Sequence, residues 1–105
     1  MNDGTLTNNT YCIFKKIYGE YLSRKKNGKS REESTHFTKE DLIQISDYIN
    51  LDDLNDCLDE LKNKGFIKKY VIGVTIITSD GINFMENRLT KKINKIIELF
   101  GNLKK

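Results

Sequence analysis

Residues 58–67, with the sequence LDELKNKGFI, decide how this chain is interpreted, because the period of its apolar residues changes within them. Up to this point the leucines recur at steps of three, four and three residues, the spacing of one face of a helix. Lys64 and Gly65 then supply a basic last turn and the glycine favoured just after a helix C-terminus. The stretch predicts a helix that begins after Asn50, ends at Lys64-Gly65 and leads directly into a strand. The leucines are Leu51, Leu54, Leu58 and Leu61.

The residues that follow are β-branched and aromatic, which favours strands. We expect strands over 66–72 and 74–78, joined by a tight hairpin at Gly73. Residues 78–81, TSDG, end the second strand and cap a last helix from Asp80 to about Phe100. The apolar residues at helical spacing in this last helix are Ile82, Met85, Leu89, Ile93, Ile96, Ile97 and Phe100.

Two further helices and a short helical turn are predicted before Asn50. The first nine residues are polar and expected to be disordered, and Thr10 is a plausible cap for a first helix. Ser30 and Glu33 have capping-box spacing, which predicts a short helical turn from Ser30 to about Thr35. A second helix opens at Phe37, with Thr38 as its N-cap. The apolar stripe of the first helix is Tyr11, Phe14, Ile17, Tyr18, Tyr21 and Leu22.

This order of elements resembles the winged helix-turn-helix superfamily. Residues 58–67 resemble its passage from the third helix into the first wing strand, and residues 77–87 its passage from the second wing strand into the final helix. The resemblance implies an α+β, mostly helical fold with three helices, a short β-hairpin wing and a long C-terminal helix, in one domain over residues 10–105. The chain is also similar to short YjcQ-like proteins of Gram-positive bacteria and their phages, in its tyrosine-rich first helix and in residues 78–88. This resemblance implies a mobile-element setting but does not point to any particular activity.

Length and composition bound the class of protein. A chain of 105 residues has the size of one domain. It has no apolar run of the roughly 18 residues that suggest a membrane span. Its start lacks the basic and apolar regions of a signal peptide, so we expect a cytoplasmic protein without membrane partners. In that compartment Cys12 and Cys57 are expected to be buried free thiols.

Charge is divided unevenly along the chain. Residues 1–37 carry seven Lys or Arg against four acids, net +3, whereas residues 38–64 carry three against eight, net −5. Residues 65–78 add +2, and residues 79–105 carry six Lys or Arg against three acids, net +3. A protein that binds nucleic acid with its central helices would show the opposite pattern.

Two sets of residues are therefore candidates for binding. The segment 24–31 contains five cations within eight residues and is the best candidate to contact phosphates, with further candidates in the third helix and first wing strand. The acids of the third helix could instead dock a basic protein, or form only a solvated face. The nucleic-acid candidates are Arg24, Lys25, Lys26, Lys29, Arg31, Asn55, Lys68 and Lys69. The acidic protein-interaction candidates are Asp52, Asp53, Asp56, Asp59 and Glu60.

The last helix suggests self-association, because Ile93, Ile96, Ile97 and Phe100 could exceed what the first helix can bury. A homodimer would cover them. The wing tip, residues 71–74, is apolar and could fold back on the core or contact a partner.

No constellation for catalysis, metal or cofactor binding is present in the sequence. His36 is the only histidine, so no paired histidine ligands exist, and no glycine-rich phosphate loop follows a strand. We therefore expect a non-enzymatic protein. The leading hypothesis is a DNA-binding accessory or transcription-regulatory protein of a bacterium or mobile element that contacts double-stranded DNA. The alternative is a protein–protein interaction module that has lost DNA binding and uses the acidic third helix or the apolar wing.

Overall fold

Helices dominate the part of the chain that the structure describes, which is residues 6–47, 50–70 and 73–88 of a computed structural model. The protein is α+β and mostly helical, as predicted. The helices are α1 (Asn8–Lys26), α2 (Arg31–Thr35), α3 (Lys39–Ser46), α4 (Leu51–Asn63) and α5, which is helical throughout 79–88. The strands are β1 (His36–Phe37), β2 (Ile67–Lys69) and β3 (Thr75–Ile77). The helix predicted as the third is α4.

Side-chain caps start α2, α3 and α4 where the sequence indicated. Ser30 Oγ accepts a hydrogen bond from the Glu33 backbone at 3.1 Å, and the Glu33 carboxylate accepts one from the Ser30 backbone at 3.1 Å. Thr38 and Asp41 form the same reciprocal pair at 3.1 and 3.0 Å. The Asn50 side chain caps α4. Local chemistry alone therefore sets these three boundaries.

The sheet has three strands in the order β1-β3-β2, both pairs antiparallel. The sequence predicted only the hairpin and wrongly placed Phe37 at the start of a helix, because a two-residue strand shows no alternation. Ile76 is paired with His36 on one side and with Lys68 on the other. Since paired residues share a face, these three side chains form a row on the outer face of the sheet, while Phe37 is fully buried on the inner face.

The hairpin strands are shorter than the predicted strands. Tyr70 N–H donates to the carbonyl of Val74 at 2.9 Å, and Gly73 N–H donates to the carbonyl of Tyr70 at 3.0 Å. Gly73 has φ of +84°, a conformation that glycine adopts without strain. Gly65, at φ of +80°, ends α4 as predicted.

Aromatic rings hold α5 against α1 and the start of the hairpin. The ring centroids of Phe14 and Phe66 lie 5.7 Å apart, and those of Phe66 and Phe84 lie 4.5 Å apart. A Cβ added at Gly81 would collide with the carbonyl oxygen of Phe66 and would lie 3.0 Å from Phe14 Cζ. Only glycine therefore allows α5 to approach this closely. The predicted continuation of the last helix to Phe100 lies outside the described residues.

The N-terminus begins earlier than predicted. Leu6 is buried in the core, and α1 starts at Asn8, so residues 6–9 are not disordered. Thr10 is 2% exposed and lies inside α1 instead of capping it. The expected disorder of residues 1–5 lies outside the described residues.

Three predictions of burial are wrong. Cys57 is a buried free thiol, as expected, but Cys12 is exposed. Cys12 is two residues from the buried Phe14, which places it about 200° around the helix and away from the core. Leu51, assigned to an apolar stripe, is 52% exposed because it is the first residue of α4. Leu22, assigned to the stripe of α1, is 43% exposed because it lies about 100° around the helix from the buried Tyr21.

Candidate interaction surfaces

The exposed side of α4 is dominated by carboxylates. Asp52, Asp53, Asp56 and Asp59 are all exposed, and we call these four residues the acidic face. They lie away from the apolar side of the helix, which is buried against the core. The buried residues are Leu54, Cys57, Leu58 and Leu61. The exposure predicted for these four acids is what the structure shows.

One carboxylate of the acidic face has a cation beside it. Asp59 Oδ1 lies 3.3 Å from Lys69 Nζ, with the two side chains 61% and 34% exposed. Such an exposed pair contributes little to stability. It does offset the charge of Lys69, one of the predicted phosphate-contacting residues.

Glu60 is set apart from the acidic face by its hydrogen bonds. Its carboxylate accepts hydrogen bonds from the Thr7 backbone at 3.0 Å, the Thr7 hydroxyl at 2.9 Å and the Thr10 hydroxyl at 2.7 Å. Burial alone would raise the pKa of Glu60, but these hydrogen bonds outweigh it, and the pKa lies below its ordinary value. Glu60 therefore anchors the start of α1, a role different from the docking role predicted for it.

A groove lies between α3, α4 and the hairpin, and we call it the hairpin groove. Its volume is about 140 Å³. Asn55 lines it, so the residue predicted as a base reader faces an apolar recess at the hairpin. The lining residues are Lys39, Leu42, Asn55, Leu58, Lys69, Tyr70, Gly73, Val74 and Thr75. The sequence indicated an apolar hairpin tip over 71–74, of which residues 71 and 72 lie outside the described residues, but nothing in the sequence places Val74 in a groove with Leu42 of α3.

Arg24 is held inside the fold. Its side chain is 18% exposed, and its guanidinium carbon lies 4.5 Å from the centre of the Phe37 ring. All three guanidinium nitrogens donate hydrogen bonds, at distances from 2.7 to 3.2 Å. These donors are occupied within the protein, which does not favour the phosphate contact predicted for Arg24. The acceptors are the carboxylates of Glu20 and Asp41 and the carbonyl groups of Glu33 and His36.

The lysines of the same segment remain at the surface. Lys25, Lys26 and Lys29 are all exposed. Lys25 Nζ lies 5.5 Å from the centre of the Tyr21 ring. No ion pair joins these lysines to another of the described residues. These three lysines are therefore exposed to solvent, and their contact with a phosphate backbone stays a prediction.

A second groove lies on the outer face of the sheet, and we call it the outer groove. It has a volume of about 440 Å³ and brings Arg31 of α2 beside Lys68 of β2. Arg31 Nη2 donates a hydrogen bond to Ser79 Oγ at 3.0 Å. Asp80 also lines the groove, which reduces its positive charge.

The predicted nucleic-acid set is thus divided among four places, one of which is the exposed end of α1 and the turn after it, with Lys25, Lys26 and Lys29. Arg31 and Lys68 meet in the outer groove, whereas Asn55 and Lys69 lie in the hairpin groove. Arg24 is internal. The predicted dimer residues, Ile93, Ile96, Ile97 and Phe100, lie outside the described residues. Strand alternation separates Lys68 from Lys69 in the sequence, but the sequence does not show which distant segments form the groove beside each of them.

The described residues contain no group of three or more His, Cys, Asp or Glu side chains placed to hold a metal ion. His36 is half-buried, and its Nδ1 lies 3.3 Å from the Thr35 hydroxyl. Within the same described ranges, no helix is both long and apolar enough to cross a membrane.

No protein-family model, curated protein or solved structure matches this chain.

Proposed function

We propose that this chain is a non-enzymatic binding protein of winged-helix type, acting in the cytoplasm, whose acidic face on α4 docks a protein partner with a basic surface. The observation that carries the proposal is the exposure of four carboxylates on α4. In a winged helix this is the position of the helix that usually enters the major groove of DNA. A run of carboxylates there favours cations and repels phosphates.

The arrangement of elements supports the winged-helix assignment. Helix α1 is followed by the short helix α2 and by β1, then by α3 and α4, and then by the β2–β3 hairpin. The first strand joins the hairpin at β3, so that the strand order is β1-β3-β2. Fold alone does not choose the ligand, because the same fold serves many functions and the site decides among them.

Electrostatics favour protein over DNA as the ligand of α4. Duplex DNA carries one negative charge per roughly 1.7 Å of its axis, and its affinity for proteins comes mainly from phosphates meeting Lys and Arg. Lys69, the cation of β2 nearest this face, is paired with Asp59 at 3.3 Å. Docking α4 against phosphates would therefore bring like charges together, whereas a basic protein surface would neutralise them.

DNA binding through another surface is the second candidate, and one observation favours it. Arg31 and Lys68 come from separate parts of the sequence yet line the same outer groove. With Lys25, Lys26 and Lys29 exposed at the end of α1 and in the following turn, they could contact a phosphate backbone without reading bases. In that case the protein would serve as an accessory or regulatory protein of a bacterium or mobile element.

A titration with random duplex DNA at two salt concentrations separates the two candidates. We expect no measurable binding by the wild type at physiological salt. The triple variant Asp52→Lys, Asp56→Lys and Asp59→Lys should gain non-specific affinity, because three repulsive charges become attractive. In a pull-down from the host cell, the same variant should lose a partner that the wild type retains.

The outcome that contradicts protein docking is also defined. Tight wild-type binding to DNA, falling steeply with salt, would favour the second candidate. The variant Lys25→Ala, Lys26→Ala and Lys29→Ala should then flatten the salt dependence by about 2–3 units of logarithmic slope. Unchanged melting of both triple variants is the control for an intact fold.

Self-association is a separate part of the proposal and rests on sequence alone. Ile93, Ile96, Ile97 and Phe100 are apolar at helical spacing, and a homodimer would bury them. The variant Ile96→Glu with Phe100→Glu should sediment as a folded monomer where the wild type is a dimer. A monomeric wild type would contradict this.

A further inference from the structure

We propose that the hairpin groove gives the acidic face its specificity by accepting one apolar side chain from a partner segment whose neighbouring residues are Lys or Arg. This inference rests on the proposed protein-docking function and narrows its partner to a basic segment with a single apolar anchor. The groove adjoins part of the acidic face, since Asn55 lines the groove and has Asp52 and Asp59 as neighbours on the same helix.

The geometry of α4 places two of the carboxylates, Asp52 and Asp59, along one edge of the groove. Asn55 lines the groove. Asp52 precedes Asn55 by three residues and Asp59 follows it by four, and residues at these spacings are neighbours on a helix surface. A cation next to an anchor seated in the groove would therefore lie beside a carboxylate.

The size of the groove selects one side chain. Its volume of about 140 Å³ is close to the roughly 150 Å³ of a cavity that holds a benzene ring. Small-molecule and cofactor sites are larger, on the order of 300–1,000 Å³. One aromatic ring or one branched aliphatic side chain fits the available space.

The walls of the groove are apolar and held in place by the fold. Leu42 and Leu58 are each 4% exposed and form part of the core. Val74 is held by the hydrogen bond that its carbonyl accepts from Tyr70 N–H at 2.9 Å. Tyr70 itself is 48% exposed, and Leu51, four residues before Asn55 on α4, is 52% exposed. This surface therefore offers additional apolar contact next to the anchor.

Charge complementarity decides the occupant. The side chains of Asp52 and Asp56 form no ion pair with another described residue. Two lysines line the groove, Lys39 and Lys69, and Lys69 is paired with Asp59. A nucleic acid would bring phosphates to these carboxylates. A second copy docked by the same surface would bring carboxylates to carboxylates, because a two-fold interface sets the same patch on itself. A basic segment of a different protein avoids both repulsions.

The probe for this proposal is a capped synthetic peptide, Lys-Arg-Phe-Lys-Arg, titrated into the full chain labelled with ¹⁵N. We expect backbone amide shifts at Asn55, Tyr70 and Val74. A matched peptide with alanine in place of phenylalanine should bind about tenfold more weakly, because burial of the ring is lost. Both peptides carry the same charge, so the difference isolates the anchor.

Three protein variants, one of them a control, separate the anchor from the charges. Asn55→Phe should fill the groove from within, so that the two peptides bind equally. Asp52→Asn with Asp56→Asn should weaken both peptides about fivefold while the preference for phenylalanine persists. The matched control, Glu32→Gln with Glu86→Gln, removes the same number of exposed charges from α2 and α5 and should change neither affinity. Unchanged melting curves would show that each variant is folded.

Each contrary result has a distinct meaning. If the two peptides bind the wild type equally, the groove is not an anchor site. If their binding still depends on Asp52 and Asp56, the proposed docking function stands without the anchor. If the phenylalanine peptide binds more tightly but neither affinity changes in the Asp52→Asn with Asp56→Asn variant, the basic partner and the proposed function are both overturned. Self-association that Asn55→Phe abolishes overturns the proposal by assigning the groove to a second copy.

Discussion

The acidic face of α4 and the basic segment 24–31 are both concentrations of like charge in the sequence, but the fold uses them differently. The four aspartates of the acidic face are all exposed, and one of them has an ion-pair partner at 3.3 Å. In the basic segment, by contrast, Arg24 donates four hydrogen bonds to acceptors within the protein. The number of charges in a segment therefore does not tell how many are available to a ligand.

The reason for the difference is the reach and shape of the side chains. An aspartate on the outer side of α4 is too short to reach the core. An arginine at the end of α1 carries a planar group with five donors on a long apolar stem, so it can lie over Phe37 and still reach several acceptors. Glu60 follows the same rule on α4, because its longer side chain reaches Thr7 and Thr10.

The largest expected effect distinguishes Arg24 from its neighbours. Arg24→Ala removes hydrogen bonds to two carboxylates and two carbonyl groups, and we expect a loss of about 2–3 kcal/mol in the free energy of unfolding. Lys26→Ala, its matched control in the same segment, should change stability by less than about 0.5 kcal/mol. Urea denaturation measures both. Similar effects of the two substitutions would remove the distinction between internal and available cations.

A smaller effect divides the acids of α4. Glu60→Gln replaces one carboxylate oxygen with an amide donor that faces the donors of Thr7 or Thr10, which should cost about 1 kcal/mol. Asp56→Asn, which alters an exposed residue, should be nearly neutral. If thermal melting showed equal losses, the separation of Glu60 from the acidic face would be wrong.

The pH dependence of the free energy of unfolding also distinguishes Glu60 from the acidic face. In the folded state the pKa of Glu60 is lowered, since its hydrogen bonds outweigh burial, so its contribution to stability is present above the unfolded-state pKa and lost as the pH falls through the folded-state pKa. The difference in unfolding free energy between wild type and Glu60→Gln should therefore shrink as the pH falls below the ordinary pKa of a glutamate, about 4.3. A difference that stays constant in acid would contradict this sign.

The smallest effect concerns the ion pair between Asp59 and Lys69. Because both side chains are partly exposed, a double-mutant cycle with alanine should give a coupling energy of about 0.5 kcal/mol or less, which decreases further at high salt. A larger coupling would mean that Asp59 belongs with Glu60 as a structural acid.

Local signals predicted the boundaries of several elements well. Ser30, Thr38 and Gly65 marked helix ends from their own chemistry, since capping and a positive φ depend on residues only a few positions apart. The first turn of α1 was less accessible to prediction, because it depends on the binding of Thr7 and Thr10 to Glu60, some 50 residues away. Strand β1 was missed for a similar reason, since its two residues become a strand only through pairing with β3.

The sequence by itself determined the balance of charge, the acidic side of α4 and the caps, because each depends on residue identity and helical period. Tertiary structure alone decided which charges remain available and where recesses form. Arg24 became internal because α1, α2, β1 and α3 meet around its guanidinium group. The hairpin groove exists because β3 pairs with β1 and β2, which brings Val74 beside Leu42 and Leu58, and contacts between such distant segments leave no periodic trace in the sequence.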